Sequence, residues 1–408
     1  MRPDIESARA GTLAEALGFR KTIVEVGHTH PGVRRVLTSA GGTVGFLVSL
    51  DDERIVDLEV EIGLGHRGFE KEVESIPWHR ALPYVARLGY AGGLMAEIGY
   101  CLAVEKLAGI SLPDRAIWLR TLAGETARIA DHFLRLAAVA AAIGLRSAED
   151  IAQQGGLAAT RLLQSVTGGG VFAGWVVLGG VARPLAEGFE ANWQASRGEI
   201  EAILARFDAI AVQNPTCQKR LRDVASLSAD DCLAWGVTGP AIRSAGIPID
   251  VRRDAPYLAY GSLDFDIPIG ENGDDFDRLL VVAEEIRQSL RIVDQCQGLL
   301  ASLGPGAIRF AEPGWCEPDK GDRAAHAASV LEGPPIPSGE VAVSIESSTG
   351  ELGFFLVSDG GPLPVRIRCR GASFFHAQAM PEMLRGAQLE DLLPTAAILH
   401  LVSGECDR

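Results

Sequence analysis

The spacing of apolar residues changes along this chain, and the change limits the folds open to it. From residue 22 to residue 60 apolar and polar side chains alternate, most clearly at 43–48 and 54–60. A period of two with many β-branched residues predicts an antiparallel sheet. From 77 to about 145 the spacing becomes helical, and Pro113 divides this stretch into two helices because proline lacks an amide donor and clashes with the preceding turn.

Two more helical stretches are predicted further along. One covers about residues 185–211, and the other runs from Asp274 to Leu303. The second carries Leu279, Ile286 and Val293 on one face, and its acidic start suits the positive end of a helix dipole. We therefore predict a helical bundle for the middle of the chain.

The last quarter of the chain returns to short strands. Proline and glycine are frequent at 312–338, which predicts a loop-rich passage. Strand patterns follow at 341–346, 352–357 and 365–370, separated by turn signals, and a helix is predicted at 380–393. The predicted fold class is α+β, a central helical bundle with an N-terminal antiparallel sheet and a small C-terminal region of β-hairpins and helix. Its predicted divisions are 1–75, 76–312 and 313–408.

Charge and hydropathy narrow the class of partner. The 408 residues carry a net charge of -15 without a lysine- and arginine-rich run, which argues against nucleic acid and against direct docking on anionic lipid. The longest helix-like apolar stretch, 136–145, is far shorter than the roughly 20 residues that span a bilayer. No signal-peptide pattern is visible at Met1. We expect a cytoplasmic chain whose membrane contact is made through partners.

Seven cysteines are present, and no two have the CxxC spacing of most zinc and iron–sulfur sites. We predict that this chain holds no metal or cluster and that its cysteines are reduced and buried.

Blocks of sequence along nearly the whole chain resemble one family. They include Val26-Gly27-His28-Thr29-His30-Pro31 and Gly63-Leu64-Gly65-His66-Arg67-Gly68-Phe69-Glu70-Lys71, residues 82–90, 97–107, 238–252, 264–278, 287–292 and 356–360, and the tail Gly404-Glu405-Cys406-Asp407-Arg408. In this order they resemble the D subunit, or 49-kDa type subunit, of NADH:quinone oxidoreductase (respiratory complex I). That family is similar in turn to the large subunits of Ni–Fe hydrogenases.

The resemblance implies a hydrogenase large-subunit-like fold and a place in a multi-subunit translocase. The family member lines, with a small iron–sulfur (B) partner, the cavity where quinone accepts electrons from the partner's cluster. It binds no NADH itself and is expected to be inactive alone. The resemblance also implies contact with the 30-kDa-type (C) and membrane (H) subunits at the cytoplasmic face of the cell membrane. A quinone site needs an apolar slot and a hydrogen-bond donor at each carbonyl.

Three residues are the candidate catalytic and quinone-binding groups. Tyr90 matches the family's quinone-binding tyrosine, and its alternative role is an ordinary buried tyrosine. His30 matches the first of two loop histidines, and Arg34 stands in place of the second. Arginine stays charged at accessible pH, so Arg34 could polarise a carbonyl or stabilise a quinone anion but could not donate a proton. The alternative is a solvated Arg34-Arg35 pair in a surface loop.

Departures from the family leave a second function open. Gly89 and His400 replace family aspartates, and Thr349 replaces a lysine. The four hydrogenase thiolate positions correspond to Gly89, Gly92, Val402 and Glu405, none of which supplies a thiolate, so a Ni–Fe centre is excluded. The alternative is a catalytically silent scaffold subunit of a hydrogenase-related membrane-bound complex.

The remaining motif charges have two interpretations each. One set, carried by predicted helices, could form structural ion pairs or conduct protons: Glu70, Lys71, Glu97, Glu105 and Lys106. A second set, in the densest family blocks, is expected to be mainly architectural: Asp250, Arg252, Asp264, Asp266, Asp277, Arg278 and Arg291.

Overall fold

The N-terminal sheet is antiparallel, as predicted. A computed structural model describes residues 21–37, 44–169, 174–310, 324, 327 and 331–408. The sheet has the order β1-β2-β3, with β1 at Lys21–Val26, β2 at Gly45–Asp51 and β3 at Arg54–Glu61. Val48 on the central strand pairs with Val24 on one side and Leu58 on the other. Val48 and Leu58 are buried, so this face of the sheet joins the core.

A short helix lies between β1 and β2, and a series of short helical turns follows the sheet. These are α1 (Pro31–Val36), α2 (Phe69–Val73), a 3₁₀ turn (Trp78–Ala81), α3 (Leu82–Val85) and a second 3₁₀ turn (Ala86–Leu88).

The centre of the molecule is the predicted helical bundle. Its long helices are α4 (Gly93–Ala108), α5 (Asp114–Ala142), α6 (Arg146–Thr167), α7 (Phe189–Phe207, continued by a π turn at Asp208–Val212) and α12 (Asp275–Leu303). Helix α5 is buried along most of its length and packs against both α6 and α12. Pro113 is the residue immediately before α5, which confirms the predicted break. Helix α6 was not predicted as a helix.

Short elements connect the long helices. They are β4 (Val176–Val177) paired with β5 (Gly180–Val181), α8 (Pro215–Leu221), α9 (Ala229–Trp235), α10 (Pro240–Arg243), α11 (Val251–Asp254) and a 3₁₀ turn (Tyr260–Ser262).

A second antiparallel sheet packs against α4. It has the order β6-β7-β8, with β6 at Gly339–Glu346, β7 at Glu351–Ser358 and β8 at Arg366–Arg370, which confirms the three predicted strands. The single helix predicted at 380–393 is wrong. The chain forms α13 (Ala372–Met383), a 3₁₀ turn (Leu389–Asp391) and α14 (Leu392–Leu399), because Gly386 adopts a left-handed φ of 80° between them.

The motif at 404–408 packs inside the molecule. It begins within α15 (Ser403–Cys406). Gly404 lies against the chain at Arg87, where an added Cβ would approach the Arg87 carbonyl oxygen to 2.2 Å. The Asp407 carboxylate accepts hydrogen bonds from the amides of Gly63 and Gly65, each at 2.6 Å. This tail therefore joins the end of the sheet to the start of the bundle.

The residues expected to be architectural divide into two groups. Asp250, Arg252, Asp277 and Arg278 are buried. Asp264 and Asp266 are exposed on the surface, where both bind Arg291.

The expectation for the cysteines holds where the structure describes them. All six described cysteines are free and buried, and Cys316 and the predicted loop at 312–338 lie largely outside the described residues. Every described helix is too short or too polar to cross a bilayer.

Candidate functional site

A cavity of about 270 Å³ lies beside Tyr90, between helices α1, α5 and α6. Tyr90 is 49% exposed at its edge, in the turn that precedes α4. Apart from Tyr90, the lining residues are Arg35, Val36, Leu134, Ala137, Ala138, Ala141, Glu149 and Gln153. The cavity thus combines an apolar wall with a phenol, a guanidinium, a carboxylate and an amide.

The apolar wall comes from one face of α5. Leu134, Ala137, Ala138 and Ala141 are spaced three and four residues apart, so they lie on the same side of the helix. Three of these four side chains are a single methyl group. Small side chains on both turns of the wall leave the space that the cavity occupies.

The geometry of α1 decides which arginine reaches the cavity. His30 caps the helix, its Nδ1 accepting from the Gly32 amide at 3.1 Å, and Pro31 occupies the first helical position. Val33 and Val36 are buried. Because successive residues of a helix are rotated by about 100°, Arg34 and Arg35 point in different directions. Arg35 faces the cavity.

An ion pair joins Arg35 to helix α6. Its Nη2 lies 2.5 Å from Glu149 Oε2, and the Glu149 side chain is only 10% exposed. Gln153, one turn later, donates to Glu149 Oε1 at 3.4 Å. Glu149 is in the first turn of α6 and Arg35 in the last turn of α1, so each charge also suits the dipole of its own helix. The pair forms the polar side of the cavity.

Of the predicted site residues, only Tyr90 is among those that line the cavity. His30, which caps α1, and Arg34, on α1, are both exposed. Neither is among the residues that line the cavity, so their roles stay predictions. Trp175 or Phe172 filling this space would favour the scaffold alternative, but Trp175 is not among the residues that line the cavity. It is buried elsewhere, donating its indole N–H to the Arg183 carbonyl at 3.0 Å, while Phe172 lies outside the described residues.

A second, much smaller cavity of about 10 Å³ lies on the other side of the Tyr90 turn. Gly89, Gly92, Val402 and Glu405 all line it, so the four positions matched to hydrogenase thiolates lie together in space. A Cβ at Gly89 would lie 2.9 Å from the Gly93 amide nitrogen, and the tight turn thus leaves no room for an aspartate there. Hydroxyl and carboxylate groups occupy the surroundings.

Asp131 is the centre of these polar groups. It accepts from Ser348 Oγ at 2.5 Å, and His400 Nε2 lies 3.0 Å from the same oxygen at an angle outside hydrogen-bond geometry. Burial would raise the pKa of Asp131, but His400, Ser348 and Arg135 outweigh burial and hold the pKa below its ordinary value. Thr349 donates to Glu405 at 2.7 Å. The departures Thr349 and His400 therefore belong to one connected polar cluster.

A larger buried charge network lies deeper in the bundle. Arg243 binds Glu285 at 2.6 Å, Glu346 at 2.8 Å and Asp250 at 3.3 Å. His132 Nε2 lies 2.7 Å from Glu285. Burial lowers the pKa of His132 to about 4 although Glu285 opposes the shift. The network connects α5, α10, α12 and β6.

Glu105 and Glu97, which could each form a structural ion pair or conduct protons, have different surroundings. Glu105 makes two bonds to Arg120, at 2.6 and 2.8 Å, in a fully buried structural ion pair. Glu97 is also buried, and no described cation lies within ion-pair distance of it. Burial raises the pKa of Glu97 to about 8. Burial therefore favours the protonated form of Glu97 at neutral pH.

Sequence reasoning missed Arg35, Glu149 and Asp131. The signal for Arg35 and Glu149 was an acidic residue in the first turn of α6 and an arginine at the end of α1. It could not be used because α6 was not predicted. Asp131 stands next to His132 in a helix that was predicted, but its partner His400 is distant in sequence. Within the described residues, no group of three or more histidine, cysteine, aspartate and glutamate side chains is arranged to hold a metal ion.

Comparisons with known proteins extend over the whole chain. Residues 157–408 match the family described as "Respiratory-chain NADH dehydrogenase, 49 Kd subunit". The chain is 34% identical to the first of the numbered D subunits of NADH-quinone oxidoreductase in Anaeromyxobacter dehalogenans, covering 99% of this chain and 93% of that one. It is 33% identical to the D subunit of the Myxococcus xanthus enzyme, over 100% and 97% of the two chains. It is 36% identical to the C/D subunit of the Nitrosospira multiformis enzyme, covering 97% of this chain but 66% of that longer one.

Proposed function

Because the chain belongs to the family of the 49-kDa subunit of respiratory-chain NADH dehydrogenase, we propose that it forms the quinone site of a complex-I-type NADH:quinone oxidoreductase. In this role it passes electrons from an iron–sulfur cluster on a partner subunit to quinone. The observation that carries the proposal is a cavity that Tyr90 and Arg35 both line and that has an apolar wall formed by α5.

The chemistry of this cavity suits a quinone head group. The Tyr90 phenol can donate a hydrogen bond to one carbonyl, and the alanine face of α5 can contact the ring. The Arg35 guanidinium can stabilise negative charge on an oxygen, but it cannot release a proton near neutral pH. Reduction would therefore take its protons from other groups. His30 and Arg34, predicted from the resemblance to lie across from Tyr90, remain proposed contacts of the quinone head group.

The size of the cavity limits what it can enclose. Its volume of about 270 Å³ is close to the lower end of the roughly 300–1,000 Å³ usual for small-molecule pockets. It can hold a head group but not a long isoprenoid tail. We place the tail outside this chain's cavity, against partner subunits.

The proposed partners are those of a complex-I-type assembly. Relatives from Nitrosospira multiformis and Methylococcus capsulatus are named as C/D subunits and are longer than this chain. Their names support a 30-kDa-type (C) partner here. The iron–sulfur (B) and membrane (H) subunits, and a peripheral location at the cytoplasmic face of the cell membrane, complete the proposal.

Replacing Tyr90 by phenylalanine tests the proposal in the assembled complex. Tyr90→Phe removes one hydrogen-bond donor, so we expect kcat/KM for a short-chain ubiquinone to fall by about tenfold or more. NADH oxidation by ferricyanide, which does not need the quinone site, should be unchanged. Tyr84→Phe is the matched control, because Tyr84 is half-buried nearby but does not line the cavity.

The scaffold alternative makes the opposite prediction. If Tyr90→Phe equals wild type in quinone reduction, the cavity is not the quinone site. An intact complex that contains this chain but has no quinone-dependent turnover would support a silent scaffold instead.

A further inference from the structure

We propose that Glu149 is a positioning residue for the quinone site, holding the Arg35 guanidinium in the cavity wall opposite Tyr90. The proposal rests on the proposed function and adds a residue outside every sequence block that identified the family. It gives α6 a part in quinone binding that acts through Arg35.

The contacts of Glu149 support this role. Its Oε2 lies 2.5 Å from Arg35 Nη2, and Gln153 donates to its other oxygen. Both Glu149 and Gln153 also line the cavity. The carboxylate is thus held from its own helix and reaches across to α1, where it fixes the end of a long flexible side chain.

The difference in exposure between the two partners explains why Arg35 needs such a contact. The Arg35 side chain is 37% exposed, whereas that of Glu149 is 10% exposed. An arginine on a short surface helix has many rotamers in water, and ordering such a side chain has an entropic cost. The ion pair with Glu149 orders Arg35 before the ligand binds. Less side-chain entropy is then lost on binding, and the ligand binds more tightly.

A purely structural role for the pair would be small. Ion pairs with an exposed partner typically contribute little to stability. Loss of the Glu149 charge should therefore leave folding and assembly nearly unchanged. A change in quinone affinity would then report positioning and not a general loss of structure.

The test is a double-mutant cycle in the assembled complex, with a short-chain ubiquinone as the probe. Glu149→Gln keeps the shape of the side chain but removes its charge, and we expect KM to rise by about three- to tenfold with kcat within about twofold. Arg35→Gln should raise KM by about tenfold or more. Because Glu149 acts through Arg35, the double variant should match Arg35→Gln alone.

Arg146→Gln is the matched control. Arg146 lies 3.7 Å from the same Glu149 oxygen, but its side chain is 70% exposed and it does not line the cavity. It should leave KM unchanged. Glu149→Asp, which keeps the charge, should recover part of the affinity.

Two results would overturn the inference. One is a KM for Glu149→Gln within twofold of wild type in an intact complex, and the other is additive effects of Glu149→Gln and Arg35→Gln. If Tyr90→Phe still impairs quinone reduction in either case, the quinone site stands and only the positioning role fails. If no variant of Tyr90, Arg35 or Glu149 alters quinone kinetics, the proposed function itself fails.

Discussion

At the scale of single residues, buried carboxyl groups in this chain differ in whether a cation lies beside them. Glu105 is paired with Arg120, while Glu97, two turns earlier on α4, is buried without a described cation beside it. A buried carboxyl that lacks a cation is more stable protonated. The two residues therefore respond to pH in different ways, although both belong to the same sequence motif.

Glu97 should make the protein less stable as pH rises. Its unfolded pKa is near 4.5 and its folded pKa is about 8, so the folded state binds more protons between these values and the free energy of unfolding falls across that interval. Glu97→Gln removes this dependence. Relative to wild type, the variant should gain about 1–4 kcal/mol between about pH 5 and pH 8.5 in urea unfolding. Glu59→Gln, on the exposed face of β3, should show no such gain.

Asp131 should behave in the opposite way. Asp131→Asn weakens the contacts with Ser348 and His400, and we expect a loss of about 3 kcal/mol near neutral pH. Because the folded pKa of Asp131 is lowered, its contribution exists above the unfolded pKa and disappears as pH falls through the folded one. The deficit of the variant should accordingly shrink in acid. A deficit that is constant with pH would contradict this account, and exposed Asp57→Asn is the control.

At the scale of elements, what the sequence could predict followed the strength of local patterns. The strands, the break at Pro113 and the helix that begins after Asp274 all have clear local signals. Helix α6 was missed because Gly155 and Gly156 lower helix propensity at its centre. The reason for Gly155 is tertiary, since the Phe133 ring of α5 packs where a side chain would begin. The choice between Arg34 and Arg35 also depends on tertiary structure, because the direction of α1 is set by its packing.

A pair of glycine substitutions tests this explanation. A Cβ at Gly155 would lie 2.4 Å from the Phe133 ring, so Gly155→Ala should destabilise the protein by about 1–3 kcal/mol despite the better helix propensity of alanine. Gly198, exposed on α7, has open space around it. Gly198→Ala should stabilise by about 0.5–1 kcal/mol. Thermal or urea unfolding measures both, and equal effects at the two sites would contradict the packing account.

At the scale of the whole molecule, the buried charge network joins elements that are far apart in sequence. Arg243 contacts the carboxylates of Asp250, Glu285 and Glu346, and no local sequence pattern predicts these contacts. Of these four residues only Asp250 was expected from its sequence block to be architectural, and its pairing with Arg243 could not be predicted.

Removing Arg243 should be severe because three carboxylates would be left facing one another. We expect Arg243→Gln to cost at least about 3–5 kcal/mol in unfolding free energy, with a larger loss at higher pH, where the carboxylates are ionised. Arg368→Gln is the surface control, since Arg368 is 59% exposed and only 3.5 Å from Glu70. A loss below about 1 kcal/mol for Arg243→Gln would show that the network is not needed for stability.

The clamp that Asp407 forms on Gly63 and Gly65 has a consequence for biosynthesis. The bonded residues are separated by 344 and 342 positions, so the amides after the N-terminal sheet leave the ribosome long before their acceptor exists. Chains generally fold from the N-terminal side during synthesis, but here the first sheet cannot reach its final attachment until translation has passed Asp407. A nascent chain stalled before that codon should therefore remain open to proteases and chaperones at its sheet-to-bundle junction.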